Sequence, residues 1–160
     1  LSCLDGLNET LFVVTGANSD RGGREFNHLL QAFCLKDKNQ RHFFKSLGTM
    51  RYYSVLEHFC GIVGNSSSGI VEAPSFGIPT LNIGCRQKGR VMGANTITVS
   101  CEENEIMSGL SKIHLTSFRK KSKLAVNPYQ KKDTAGMVIN IIKQQDLSAM
   151  YFKEFFDVPT

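Results

Sequence analysis

The stretch Gly61-Ile62-Val63-Gly64-Asn65-Ser66-Ser67-Ser68-Gly69-Ile70-Val71-Glu72 decides the fold. Its first four residues are an apolar run bounded by glycines and too short for a helix, which predicts a very short buried strand. Asn65 to Gly69 is a polar turn, and Ile70 and Val71 begin a short helix that stops near Gly77. A strand that turns through small residues into a helix has a chemical consequence. The first turn of a helix leaves backbone N–H groups without internal partners, and its dipole favours an anion. Small side chains let a phosphate approach, and serine hydroxyls add donors. Serine is also a preferred helix cap. The turn therefore reads as a phosphate cradle or as plain capping, and three serines between two glycines are more than one cap needs.

Outward from this turn, strands and helices alternate. Upstream, Leu11 to Thr15 is a run of apolar, β-branched and aromatic residues that predicts a buried strand ending at Gly16. Ala17 to Gly23 reads as loop, and Phe26, Leu29, Leu30 and Phe33 recur at helical spacing. Arg41 to Leu47 predicts a weaker strand, and Tyr52, Val55, Leu56 and Phe59 a second amphipathic helix. Downstream, Pro79 to Ile83 and Asn95 to Val99 read as strands. Ser100 with Glu103 fits a capping box for a helix whose buried stripe is Ile106, Leu110 and Ile113. Arg119 to Lys132 reads as loop, Asp133 as the cap of a last helix carrying Met137, Ile141 and Ile142, and Met150 to Phe156 as an aromatic-rich tail. The alternation predicts a parallel sheet covered on both faces, an α/β doubly wound domain.

Ligands of such sheets bind beyond the carboxyl ends of the strands. That directs attention to Gly16–Gly23, Leu47–Met50, Gly64–Gly69 and Gly84–Gly93. Glu72 lies about one turn into the helix after the serine turn. A carboxylate there repels a phosphate but accepts hydrogen bonds from both hydroxyls of a ribose; its bland alternative is a carboxylate that complements the helix dipole. In Gly84-Cys85-Arg86-Gln87-Lys88-Gly89-Arg90, Arg86 or Arg90 can clamp a diphosphate through a fork of N–H donors, unless the loop is only solvated surface. Asn18-Ser19-Asp20 can touch a sugar or nucleotide, or form a simple Asx-type turn.

Composition removes other classes. The 160 residues suit one domain over 1–160, with 41% hydrophobic and 21% charged residues, close to globular averages. No apolar stretch is long enough for a membrane span, and no basic segment leads into an apolar one as in a signal peptide. The five cysteines are widely spaced without a CxxC pair, which argues against a zinc site or a disulfide framework and predicts reduced thiols in the cytoplasm. The net charge of +5 is concentrated between Lys112 and Lys132, where no Asp or Glu occurs; one local run with only Phe118 and Tyr129 as aromatics is not the spread basic face of a nucleic-acid binder. His28, His42, His58 and His114 share no metal-like spacing, and neither a P-loop nor a dinucleotide fingerprint is present. No metal or cofactor is expected.

The segment GNSSSGIVEAPSFGIPTLNIGCRQKGR, Gly64 to Arg90, resembles the signature of hydrolysing UDP-N-acetylglucosamine 2-epimerases. TGANSDRGGREFN, SLGTMRYYSVLEH, NPYQKKD and FKEFFDVP agree with it elsewhere, so the resemblance covers nearly the whole chain. Non-hydrolysing relatives carry a di-glycine in place of the middle serines. The resemblance implies a Rossmann-like fold, the carboxyl-terminal half of a two-domain enzyme of the GT-B type, with substrate in the cleft between the halves. It places Ser66 and Ser67 on the diphosphate, with Ser68 and Gly69 completing the helix mouth. Glu72 falls on the ribose acid, Arg86 faces the phosphates, Asn18 lies near the substrate, and main-chain groups around Leu47 hold the uracil. The family's proton-moving carboxylates precede this stretch, so no catalytic residue is assigned.

The implied reaction eliminates UDP from UDP-GlcNAc and adds water to give N-acetylmannosamine. Two alternatives stay open: a hydrolysing 2-epimerase of a UDP-diacetamido sugar for bacterial nonulosonate synthesis, and a non-catalytic UDP-binding module. The implied partners are the UDP-sugar, UDP, the missing amino-terminal domain and a second copy in a homo-oligomer, with neither nucleic acid nor membrane.

Overall fold

The structure, a computed structural model, describes residues 1–17 and 22–146. The chain divides into two compact units, Leu1–Pro128 and Tyr129–Thr160. In the first, the order is α1 (Ser2–Asp5), β1 (Phe12–Thr15), α2 (Gly23–Leu35), β2 (Arg41–Phe44), α3 (Gly48–Leu56), β3 (Ile62–Gly64), α4 (Ser68–Val71), a 3₁₀ turn (Ala73–Phe76), β4 (Thr80–Ile83), β5 (Thr96–Val99), α5 (Glu103–His114) and α6 (Thr116–Lys123). The second contains α7 (Thr134–Gln144), capped as expected by Asp133, whose carboxylate accepts from the Gly136 N–H at 3.2 Å.

Every strand pairing among the described residues is parallel. β1 pairs with β2, and β3 pairs with β4, which pairs with β5. In place of the single expected sheet there are two among the described residues, β1-β2 and β3-β4-β5. β3 contributes only three residues, Ile62 to Gly64, and makes its one ladder with β4. Successive side chains of a strand point to opposite faces, and β4 shows what each face meets. Leu81 is fully buried with Cys3, Leu110 and Ile113, beneath α5. Thr80 turns the other way and donates its hydroxyl to the Gly69 carbonyl at 2.9 Å, under α4. Helices on both faces of a parallel sheet make the doubly wound arrangement. A second core, Leu56, Ala73 and Ile78 with Tyr52 and Phe59 packed against it, joins α3 to the 3₁₀ turn.

Local expectations are revised in four places. Residues 119–132 are not all loop, because α6 runs to Lys123. Its Lys-rich surface hides the helix from a hydrophobic pattern, while Ser122 is fully buried and its hydroxyl donates back to the Phe118 carbonyl at 2.9 Å. The second strand stops at Phe44, and α3 starts at Gly48 and ends before Phe59. The start of α5 is closed by Glu105, not Glu103: its carboxylate accepts from the Ser100 N–H at 2.9 Å, and the Ser100 hydroxyl accepts from Glu102 N–H at 3.1 Å. α1 carries no periodic signal. It is held instead by Asp5, which accepts from Lys36 and Arg41 at 2.7 Å each, with the Arg41 guanidinium 4.1 Å from the Phe33 ring centroid. No helix among the described residues is long and apolar enough to cross a membrane.

Candidate nucleotide site

The serine turn leaves β3 at its carboxyl end, as the sequence predicts, and enters α4 with Ser67 at the N-cap position. Plain capping accounts for little of it. The Ser66 hydroxyl accepts from the Ser68 N–H at a long 3.3 Å, and the Ser67 side chain makes no cap bond. The N–H groups of Ile70 and Val71 both reach the Ser67 carbonyl at 2.9 Å, and that of Glu72 the Ser68 carbonyl at 3.0 Å. Among the described residues, the N–H groups of Ser67 and Gly69 find no acceptor. α4 has only four residues, so its dipole is small; what the turn offers is individual N–H and O–H donors.

Gly69 sets the depth of this turn. A Cβ there would stand 2.6 Å from Thr80 Cγ2, so only glycine lets α4 approach β4 this closely. Glu72 follows at the end of α4. Its Oε2 is shielded from solvent and has no hydrogen-bond partner. A buried, unpartnered carboxylate oxygen is costly unless a ligand supplies donors.

The loop after β4 folds back onto the same turn. Gly84 takes a left-handed φ of 80°, which reverses the chain out of the strand. The Asn65 carbonyl then accepts from Gln87 Nε2 at 2.8 Å and from Arg86 Nη1 at 3.3 Å. The expected Arg86 therefore stands beside the serine turn, itself exposed. Gln87 is 3% exposed, with its Oε1 buried and unpartnered, as is Asn82 Oδ1 near the carboxyl end of β4.

α3 brings a group the sequence did not single out. Tyr52 forms a hydroxyl–hydroxyl hydrogen bond with Ser68. Burial pushes the Tyr52 phenol up from its ordinary pKa; the Ser68 bond pulls it down, and the negative charge of Glu72 pushes it up again. Leu47 is the residue before α3, five positions ahead of Tyr52, and Gly48 after it has φ of 68°. The structure thus brings Ser66, Ser67, Ser68, Gly69, Glu72 and Arg86 to one end of the β3–β4 pair, with α3 tied to them through Tyr52. Asn18 lies outside the described residues. Sequence reading missed Tyr52 and Gln87. The first was absorbed by an apolar helix face, and the second by a loop that looked solvated; only the bracketing glycines hinted at the fold-back. Among the described residues no group of three His, Cys, Asp or Glu side chains is placed to hold a metal ion.

Residues 1–143 match the family profile described as UDP-N-acetylglucosamine 2-epimerase. The chain belongs to the UDP-N-acetylglucosamine 2-epimerase family. It is 35% identical over 149 residues to polysialic acid biosynthesis protein P7 of Escherichia coli, covering 92% of this chain and 38% of that protein. It is 34% identical over 159 residues to GDP/UDP-N,N'-diacetylbacillosamine 2-epimerase (hydrolyzing) of Campylobacter jejuni, covering 99% of this chain and 41% of that protein. The chain thus spans about two fifths of the length of these relatives. A 2.2 Å crystal structure of a Listeria monocytogenes protein described as a UDP-N-acetylglucosamine 2-epimerase superposes with a TM-score of 0.63 at 14% identity, covering 99% of this chain and 51% of that one. This likeness confirms the Rossmann-like α/β fold.

Proposed function

We propose that this chain is the UDP-binding part of a hydrolysing UDP-N-acetylglucosamine 2-epimerase, which eliminates UDP from UDP-GlcNAc and adds water to give N-acetylmannosamine. One observation carries the reading: unspent donors at Ser67 and Gly69 lie just ahead of a buried, partnerless acceptor at Glu72. A nucleoside diphosphate has the complementary pair, an anion at one end and hydroxyl donors in the middle. In this reading Ser66 and Ser67 hold the diphosphate, with Ser68 and Gly69 shaping the mouth, and Glu72 accepts from the ribose. Arg86 faces the phosphates, main-chain groups at Leu47 take the uracil, and Asn18 lies near the substrate. During elimination, negative charge develops on the departing diphosphate. Donors already fixed by the fold stabilise that charge without reorganising. The proton-moving groups belong to the rest of the enzyme, so none is assigned to a residue of this chain.

A second substrate is favoured by the names of relatives. The Campylobacter jejuni protein is a hydrolysing epimerase of diacetylbacillosamine, and a Legionella pneumophila relative named for the UDP-linked sugar is 34% identical over 93 residues. The natural-length protein incubated separately with UDP-GlcNAc and UDP-N,N'-diacetylbacillosamine, with products separated by mass spectrometry, tests both. Free UDP with a free 2-epimeric sugar from UDP-GlcNAc is the expected result; an epimer still linked to UDP, or no turnover of either substrate, refutes the hydrolysing reading.

A further inference from the structure

We propose that Tyr52 reads the ribose of the bound nucleotide: with Ser68 it supplies a donor to the same sugar hydroxyl that donates to Glu72. The inference rests on the UDP-binding reading above and adds to it Tyr52, to which the diphosphate account gives no role.

Tyr52 performs two separable tasks. Its ring packs with Leu56, Ala73 and Ile78, a task phenylalanine would do equally well. Its hydroxyl leaves that core and meets the Ser68 hydroxyl, joining α3 to the first residue of α4. Two hydroxyls bring two protons. One is spent on the bond between them, whichever group donates it, and the other remains to be given away. Glu72 is tied to Ser68 from the other side, its N–H reaching the Ser68 carbonyl at 3.0 Å. Glu72 is acceptor only when ionised, and its Oε2 waits unpartnered and out of solvent.

The site therefore offers an acceptor and a spare donor together. A carboxylate alone binds anything with a donor. A carboxylate paired with a donor fits a group that both donates and accepts, and that is a sugar hydroxyl. Tyr52 and Ser68 are half-buried, open enough for a ligand to reach.

The test is calorimetry on the full chain with UDP and 2′,3′-dideoxy-UDP, using Tyr52→Phe, Ser68→Ala and Glu72→Gln. Unmodified protein is expected to prefer UDP. Tyr52→Phe is expected to weaken UDP about two- to tenfold, the size of one net hydrogen bond, and to leave dideoxy-UDP unchanged. Ser68→Ala, which breaks the pair from the other side, is expected to lower the same preference. Melting temperature measured alongside separates a mere staple between helices, which would weaken both ligands alike; equal weakening, or no change in preference in either variant, overturns the proposal. If Glu72→Gln removes the preference while Tyr52→Phe and Ser68→Ala do not, only the role of Tyr52 falls. If the unmodified chain does not distinguish the two ligands, the ribose role of Glu72 falls as well, and the role of Tyr52 with it.

Discussion

Replacing Gly69 by alanine tests how the serine turn is seated. The added Cβ would lie 2.6 Å from Thr80 Cγ2, far inside contact distance, and Thr80 is 2% exposed with its hydroxyl tied to the Gly69 carbonyl. Neither group can move freely, so α4 must lift from β4. Overpacking of this kind costs about 1–3 kcal/mol, which for a chain of this size lowers Tm by roughly 2–12 °C. The physical cause is one methyl group, which makes a sharp control. Thr80→Ser removes Cγ2 but keeps the hydroxyl that bonds Gly69, and alone costs about 1 kcal/mol for a lost buried methyl. In Gly69→Ala/Thr80→Ser the new methyl occupies the vacated space. The pair should be strongly non-additive, with the double variant more stable than Gly69→Ala alone. Thermal unfolding and UDP titration of the four proteins supply the cycle. UDP affinity should fall in Gly69→Ala and return in the double variant. Additive stabilities, or an alanine variant as stable as the parent, would refute close packing of α4 on β4 as the reason for glycine.

Two further outcomes follow from side chains already described. Arg86→Ala should weaken UDP by about 1.5–3 kcal/mol, the range for a charge-assisted hydrogen bond, more than it weakens UMP, and by less as salt rises because Arg86 is exposed; calorimetry at two ionic strengths checks it, and a salt-independent loss counts against a charge–charge contact. Hydrogen bonds from Lys36 and then Arg41 hold the Asp5 carboxyl below its usual 3.8, so its contribution to stability is present above that value and is lost as pH falls through the lowered one. Asp5→Asn should therefore flatten the acid limb of a stability–pH curve, and an unchanged slope below pH 4 would show that the pair does not hold α1.

Much of the fold was legible because the apolar strands end at glycines: Thr15 before Gly16, Val63 before Gly64, Ile83 before Gly84. The serine turn could be read for the same reason, since small residues between a strand and a helix have few other uses. Side chains with two tasks were not legible. Tyr52 shows helical apolar spacing, and nothing in that spacing reveals that its hydroxyl meets a residue sixteen positions on. Gln87 sits among Arg86, Lys88 and Arg90, a composition that reads as solvated, yet it is buried because its amide crosses 22 residues to the Asn65 carbonyl. α6 is hidden by Arg119, Lys120, Lys121 and Lys123, which give a helix little apolar stripe to detect. The misses at Tyr52 and Gln87 concern contacts distant in sequence, which periodicity cannot contain.

On the proposed reading this chain recognises a diphosphate on a nucleoside. Calorimetric titration of the full chain with UDP, UMP and uridine tests it most directly, because the three ligands remove one phosphate at a time and keep the base and sugar. Affinity should fall from UDP to UMP and again to uridine, with the larger part of the enthalpy lost alongside the phosphates; equal affinity for all three would contradict the diphosphate site at Ser66–Gly69.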